Sequence, residues 1–360
     1  MLNNQTGHNS ILDEFSTEVF CLSWMNSGTA LAIGFKDGTI KLYDTIKKQL
    51  LRTINGHLDL VSALNWNEYL LSSGSRDSKI LNHDVRIKSH LIYTCSWHKK
   101  GITSLKWSED KRYLATGAFD NKVCIWDIRK NINSTNTVHE LDHDSNASNA
   151  SHTLEGENII NKTNTITNTN SNTNINNIQS NNNNNVSSIS KYNLKHNSVI
   201  RGLSWSPHDN NLLATGGGTK DPSIKIWDIS NGKLIKVLNT KAQICSLLWS
   251  KNTNEIITAH GGTNNIELWK YPSMKHLKSF KGHSNKILHL AISPDGTTIA
   301  SGAGSELDET LRLWKMFDKN ESKITLVKDC QISYFKTNDI ENREHKDNVR
   351  KSITKSLYMR

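Results

Sequence analysis

Four histidines recur along this chain at related positions, His57, His98, His196 and His283. Each is followed about two dozen residues on by a turn aspartate, at Asp77, Asp120, Asp221 and Asp308, and Asp37 holds the same place in the first copy. An imidazole can bind a metal or move a proton, but a metal site needs its ligands to converge. These histidines belong to different copies of a repeat, so they are predicted to lie around a ring and far apart. A hydrogen-bond relay from each histidine to its turn aspartate is the reading that fits, because buried polar groups need such partners. Gly216-Gly-Gly218 and Gly302-Ala-Gly304 lack the spacing, the following helix and the lysine of a phosphate loop, and fit tight strand turns instead. No Ser/His/Asp triad, carboxylate pair or thiol/imidazole set recurs at one place, so the sequence predicts no catalysis, no metal and no cofactor.

The elements that position these residues follow from the tryptophans. Nine of the ten fall at two places in a unit of roughly forty residues. Trp24, Trp66, Trp107, Trp205 and Trp249 each end an apolar run, and Ile292 takes that place in a sixth copy. Trp126, Trp227, Trp269 and Trp314 close a second run, with Tyr43 and His83 standing in for them in the first two copies. Each copy holds four strand-like runs separated by turns, which predicts an all-β fold, a WD40 β-propeller. The copies span about 15–56, 57–97, 98–196, 197–240, 241–282 and 283–318. Propellers are mostly binding platforms.

The chain has 360 residues and a hydrophobic content of 35%, low for a compact protein of this size. The deficit is local: residues 131–190 are rich in Asn, Ser and Thr and too poor in large apolar groups to offset the entropy of ordering. They are predicted to form a disordered insert between the third and fourth copies, within a propeller of 15–318, flanked by a short segment 1–14 and a basic tail 319–360. Five cysteines without CxxC spacing predict small core residues in a reducing compartment. No window approaches the apolar length of a membrane span, so no membrane role is expected. The net charge of +10 is dispersed, with no basic run interleaved with aromatics; it suits acidic protein partners better than nucleic acid.

The residue six before each first-run tryptophan, or before Ile292, marks where that strand starts and is predicted to sit on the channel rim. These residues are Glu18, Leu60, Gly101, Val199, Gln243 and Lys286. A purely structural ring would be uniform; this one is polar or charged at three of six places, as a peptide reader would be.

Several strings are specific to individual copies: Ser72-Ser-Gly-Ser-Arg-Asp77 with His83-Asp-Val-Arg86, Leu213-Ala-Thr-Gly-Gly-Gly-Thr219, Leu268-Trp-Lys-Tyr-Pro-Ser273, Ser293-Pro-Asp-Gly296 and Asp308-Glu-Thr-Leu-Arg-Leu-Trp314. In this order they resemble the Fizzy and Fizzy-related co-activators of the anaphase-promoting complex, from about residue 15 to 318 apart from the insert. The resemblance implies a non-catalytic substrate receptor of a ubiquitin ligase, working in nucleus and cytoplasm. The implied partners are ligase subunits, checkpoint proteins and degron-bearing substrates such as cyclins. Family members bind a Lys-Glu-Asn motif at the channel mouth and a destruction box in a groove between the first and last blades. Carried over by position, the degron contacts are Asn121, Thr219, Gln243, Lys286 and Glu309. Lys286 stands where the family usually has arginine, so a planar bidentate donor is replaced by a point charge. Asn121 and Thr219 also lie in Gly/Asp-rich turns, where turn formation explains them equally well. Glu309 would pair with the destruction-box arginine, beside three extra residues, Ser305-Glu-Leu307. Met359 and Arg360 match the Ile-Arg end that docks on a ligase scaffold subunit.

The family has seven blades, preceded by a segment that engages the ligase. Six copies are visible here, and the first blade and that segment are expected to be absent, leaving an unpaired propeller edge. Ile324-Thr-Leu-Val327 or Gln331-Ile-Ser-Tyr-Phe335 is a candidate substitute strand. A generic WD scaffold for protein or RNA complexes is the alternative function.

Overall fold

A computed structural model describes residues 13, 15–127, 190–304, 308, 310–320, 323–326 and 332–336. These form six four-stranded antiparallel sheets, each running from an inner strand to an outer one, and a small hairpin, Phe317–Asn320 with Lys323–Leu326. The inner strands are Val19–Trp24, Val61–Asn67, Ile102–Trp107, Ile200–Trp205, Gln243–Trp249 and Ile287–Ile292. They pack in succession from blade 1 to blade 6 around a common channel.

Two boundaries differ from the sequence expectation. Lys122–Asp127 pairs with Ser190–Lys195 as the third and outer strands of blade 3. The long insert therefore opens from a hairpin inside the third blade rather than between copies, and Ser190, taken with the insert, is the first residue of that outer strand. Blade 6 takes its outer strand from Ile332–Lys336, which pairs with Thr310–Lys315. The sheet thus extends past residue 318, because a four-stranded blade needs an outer partner and Ile332-Ser-Tyr-Phe335 supplies it. The expected disorder of the insert, and residues 337–360, lie outside the described residues.

Blade faces interlock through the repeat's apolar positions. Ile200, Leu203 and Trp205 of blade 4 pack on Ala115, Val123 and Ile125 of blade 3, and the same arrangement recurs at the next interface with Ile244, Leu247 and Trp249. Trp66, Trp107, Trp205 and Trp249 are 4–7% exposed, whereas Trp24 is 48% exposed and Leu22 is 59% exposed. Blade 1 turns these two away from blade 2, so this flank forgoes roughly half of the 1.5–3 kcal/mol that full burial of a large apolar side chain contributes. Leu31, Ile33, Phe35 and Tyr43, on the same flank, are buried with Phe15 and Val19 beside them.

Every inner strand carries a β-bulge at the same register. The pairing shifts at Val19/Cys21, Val61/Ala63, Ile200/Gly202, Ile244/Ser246 and Ile287/His289, and opposite Gly117/Ala118 in blade 3. A bulge re-aims a side chain that plain alternation would place elsewhere. The bulged residues, Phe20, Ser62, Thr103, Arg201, Cys245 and Leu288, all line the central cavity.

Candidate functional site: the channel rim

The loops that carry the rim are held by the histidine relay. His57 Nδ1 lies 3.0 Å from Asp77 Oδ2, His98 Nδ1 3.0 Å from Asp120, His196 Nδ1 2.9 Å from Asp221 and His283 Nδ1 3.0 Å from Asp308. Each imidazole Nε2 meets a strand hydroxyl, at Ser73, Thr116, Thr215 and Ser301. In three of these blades that hydroxyl also accepts from the blade's tryptophan, Trp126, Trp227 or Trp314. Burial pushes the Asp221 carboxyl up, but hydrogen bonds from His196, Ser223 and the Asn197 amide outweigh it and hold the group well below the ordinary carboxylate range. Burial also holds His196 and His283 below the ordinary imidazole range, against the pull of their aspartates. The first blade departs from the expectation: among the described residues no histidine pairs with Asp37, which accepts from its own Thr39. In blade 5, His260 takes the role from a strand, with Nε2 2.7 Å from Thr258.

Above these loops, the six predicted strand-start residues form one ring by register. The amide that follows each second strand donates to their carbonyls: Lys36 to Glu18, Arg76 to Leu60, Phe119 to Gly101, Gly218 to Val199 and Gly304 to Lys286. Gln243 pairs with Gly261 in blade 5. The side chains divide the ring. Glu18 is engaged by Lys36 at 3.2 Å, and blades 2 and 3 present Leu60, Arg76 and the 43%-exposed Phe119. Blades 4 to 6 present Thr219, Gln243 and Lys286.

Thr219 and Gln243 are joined across the blade boundary. The Thr219 hydroxyl donates to Gln243 Oε1 at 2.8 Å. On its other side the Gln243 carboxamide lies against Gly261, where a Cβ would come within 2.3 Å of Nε2. Glycine at 261 therefore makes room for this orientation, which leaves Gln243 Nε2 as a donor at the mouth. Lys286 is exposed, and together with Arg201 it counters the burial that pushes the Cys245 thiol up. A donor amide and a cation thus stand on adjacent blades, suited to a polar side chain and a carboxylate of an extended peptide.

Asn121 is placed differently. Its φ of 66° matches Gly38 and Ser78 at the same turn position in blades 1 and 2, with φ of 85° and 68°. Its amide donates to Ala118, and its carbonyl accepts from His196. Left-handed geometry accounts for an asparagine there, and no hydrogen bond joins it to the Thr219–Gln243 pair. Glu309, Met359 and Arg360 lie outside the described residues. Among the described residues, no group of three or more His, Cys, Asp or Glu could hold a metal, no helix is long and apolar enough to cross a membrane, and Cys21, Cys95, Cys124 and Cys245 are free thiols.

Sequence reasoning missed Arg201 and Lys106, which point into the cavity. Alternation of apolar residues hides the bulge that turns Arg201 inward. A signal was nevertheless present, since Arg201 is the charged member of the column Phe20, Ser62, Thr103, Arg201, Cys245, Leu288.

The chain is 35% identical over 325 residues to "APC/C activator protein CDH1" of Saccharomyces cerevisiae, covering 90% of this chain and 47% of that protein. It is 35% identical over 315 residues to "Protein FIZZY-RELATED 3" of Arabidopsis thaliana, covering 87% of this chain and 53% of that protein. The chain belongs to the Fizzy and Fizzy-related family. A further family relative, "Anaphase-promoting complex subunit cdc20" of Dictyostelium discoideum, is 36% identical over 84% of this chain and 50% of its own length. A chain of a crystal structure of the mitotic checkpoint complex matches this fold with a TM-score of 0.69 and 31% identity, covering 88% of this chain and 80% of that chain. The WD domain, G-beta repeat model matches residues 89–127 and 274–315, and the model of the anaphase-promoting complex subunit 4 WD40 domain matches 7–69 and 161–252. The Saccharomyces and Dictyostelium relatives are, by name, an activator and a subunit of the complex. The chain spans about half the length of the curated relatives it matches.

Proposed function

We propose that this chain is the propeller of a substrate-recognition co-activator of the anaphase-promoting complex, and that it reads the Lys-Glu-Asn degron on the rim of blades 4 to 6. The observation that carries this is the Thr219–Gln243 hydrogen bond beside an exposed Lys286, at positions the family uses for that motif. In this reading the Gln243 carboxamide meets the asparagine of the degron and Lys286 its glutamate, while Thr219 fixes the carboxamide. Asn121 stands at the neighbouring turn as a further contact. The destruction box would lie against the flank of blade 1 that bears Leu22 and Trp24, with Glu309 as partner for its arginine. Met359 and Arg360 would dock on the ligase, so that ubiquitin transfer takes place on other subunits in nucleus and cytoplasm. Cyclins and similar cell-cycle proteins are the proposed substrates, and checkpoint proteins are proposed competitors for the same rim.

Fluorescence anisotropy with a labelled Lys-Glu-Asn peptide tests this reading. The full chain should bind it, and Gln243→Ala and Lys286→Ala should each weaken binding by about tenfold, near 1.4 kcal/mol. Equal affinity for a scrambled peptide would leave a generic WD scaffold as the better reading.

A further inference from the structure

Below the rim, the inner strands of all six blades enclose a cavity of about 480 Å³. Its wall carries three cationic side chains, Arg76, Lys106 and Arg201, and no aspartate or glutamate. Among the described residues none of the three makes an ion pair. Elsewhere the same protein pairs its cations readily: Lys225 with Asp221, Lys270 with Glu255 and Arg86 with Asp84. Arg76 and Lys106 are exposed and Arg201 is half-buried, so the three share a lumen whose wall carries one sign of charge, and such a cleft concentrates anions.

The fold puts each of these charges in the lumen deliberately. Arg201 is the bulged residue of its strand, turned inward where Ser62 and Thr103 use their hydroxyls to hold the next blade's carbonyls. In blade 4 that structural tie is given up for a guanidinium. Arg76 crosses the glycine at 101, whose missing Cβ would fall 2.9 Å from the Arg76 Cα. Lys106 precedes Trp107 at the far end of its strand, where it is exposed to the lumen.

From the level of Arg76, which bonds at the strand start, to Lys106 is five residues of inner strand, or about 15 Å along the axis. One carboxylate cannot meet charges spread over that length. A molecule with several phosphate groups can, and the volume lies within the roughly 300–1,000 Å³ range of small-molecule sites. We propose that the propeller channel binds a multiply phosphorylated small molecule, held between Arg76, Lys106 and Arg201. Such a ligand would clamp blades 2, 3 and 4 together from inside, reaching the rim at Arg76, and would not share the Thr219, Gln243 and Lys286 contacts of a rim-bound peptide. The proposal stands whether or not the rim reads a degron.

The test uses the full chain with inorganic tripolyphosphate and inositol hexakisphosphate as probes, in calorimetric titration. Binding should occur and should weaken by about tenfold or more in the K106Q/R201Q double variant, as expected for losing two charge-assisted contacts. The charge-matched double control K275Q/K281Q, at two exposed lysines on the outer strand of blade 5, should bind as the unmodified chain does. Cys245 lines the same cavity, so a second readout needs no variant: tripolyphosphate should slow maleimide labelling of Cys245 and leave that of cysteines outside the cavity unchanged. No binding to the unmodified chain, equal weakening in the control, or no protection of Cys245 would overturn the proposal. So would a glutamate-rich peptide that protects Cys245 where the phosphates do not.

Discussion

The Thr219 hydroxyl donates to Gln243 Oε1 at 2.8 Å, and this bond spans two blades. It couples a turn residue of blade 4 to the first residue of the inner strand of blade 5, and so fixes which way the Gln243 carboxamide faces. Thr219→Val keeps the shape of the side chain and removes the donor. Peptide affinity at the rim should fall about fivefold, in keeping with one hydrogen bond worth about 1 kcal/mol, while the melting temperature stays nearly constant. Anisotropy and thermal unfolding on the same preparation check both halves.

Gly261→Ala acts on the same group from the other side. The new Cβ would fall 2.3 Å from Gln243 Nε2, the far end of a flexible side chain, and 3.0 Å from Cys245 Sγ. The carboxamide should swing away, so that peptide binding is lost with little change in stability. Stability lost together with binding would mean that the backbone, and not the carboxamide, had moved.

Lys286→Arg restores a planar two-pronged donor toward a carboxylate. Binding of a glutamate-bearing degron should tighten by several-fold, and a titration showing no gain would remove Lys286 from the contact set.

His196→Ala would remove the partner that Asp221 and Thr215 share in a buried site, leaving Asp221 its bonds from Ser223 and the Asn197 amide and Thr215 its bond from Trp227. The expected loss is about 1–3 kcal/mol, for two hydrogen bonds of which one is to a charged group. Denaturant unfolding followed by tryptophan emission measures it, and a loss under about 0.5 kcal/mol would show that water takes over the relay.

Stability should fall with acid in two stages. Burial holds His83 at about 3, with His90 and His57 adding to the effect, and holds His196, His260 and His283 below 6.5. Below about pH 6.5 the unfolded chain takes up protons that these native imidazoles refuse, so their contribution is complete above that pH and declines as pH drops toward the folded values. The aspartates act lower. Burial raises Asp77, Asp120 and Asp308, but hydrogen bonds outweigh it and depress all three: from the histidines and backbone amides at Asp77 and Asp120, and from Thr310, the Ser284 amide and His283 at Asp308. Their stabilising contribution is present above the ordinary value near 3.8 and is lost as pH falls through the depressed native values. Unfolding midpoints that do not change between pH 7 and 5 would contradict the first stage.

Much of this fold was legible because the repeat forces it. Tryptophans at two fixed places, turn aspartates and junction histidines admit one arrangement of strands, and the relay at His57, His98, His196 and His283 joins each to the expected turn aspartate. What escaped was set by pairing between distant segments. The outer strand of blade 6 comes from Ile332–Lys336, far beyond the last tryptophan, and the outer strand of blade 3 begins at Ser190 after the long insert. The rim positions Gln243 and Lys286 could be found by counting back from a tryptophan. The Thr219–Gln243 contact could not, because it depends on how two blades meet, and Arg201 was hidden by a bulge that apolar periodicity does not register. Asn121 shows the opposite case, a residue whose turn chemistry, visible in sequence, is what the backbone uses.

Under the proposed function, the sector of the rim built by Thr219, Gln243 and Lys286 reads a Lys-Glu-Asn peptide. The most direct test is the affinity of the full chain for that peptide against one in which the glutamate and asparagine are both replaced by alanine. The first peptide should bind about tenfold or more tighter than the second, with the difference erased in a Gln243→Ala/Lys286→Ala double variant. Equal affinity for the two peptides, or a preference that survives in the double variant, would contradict it.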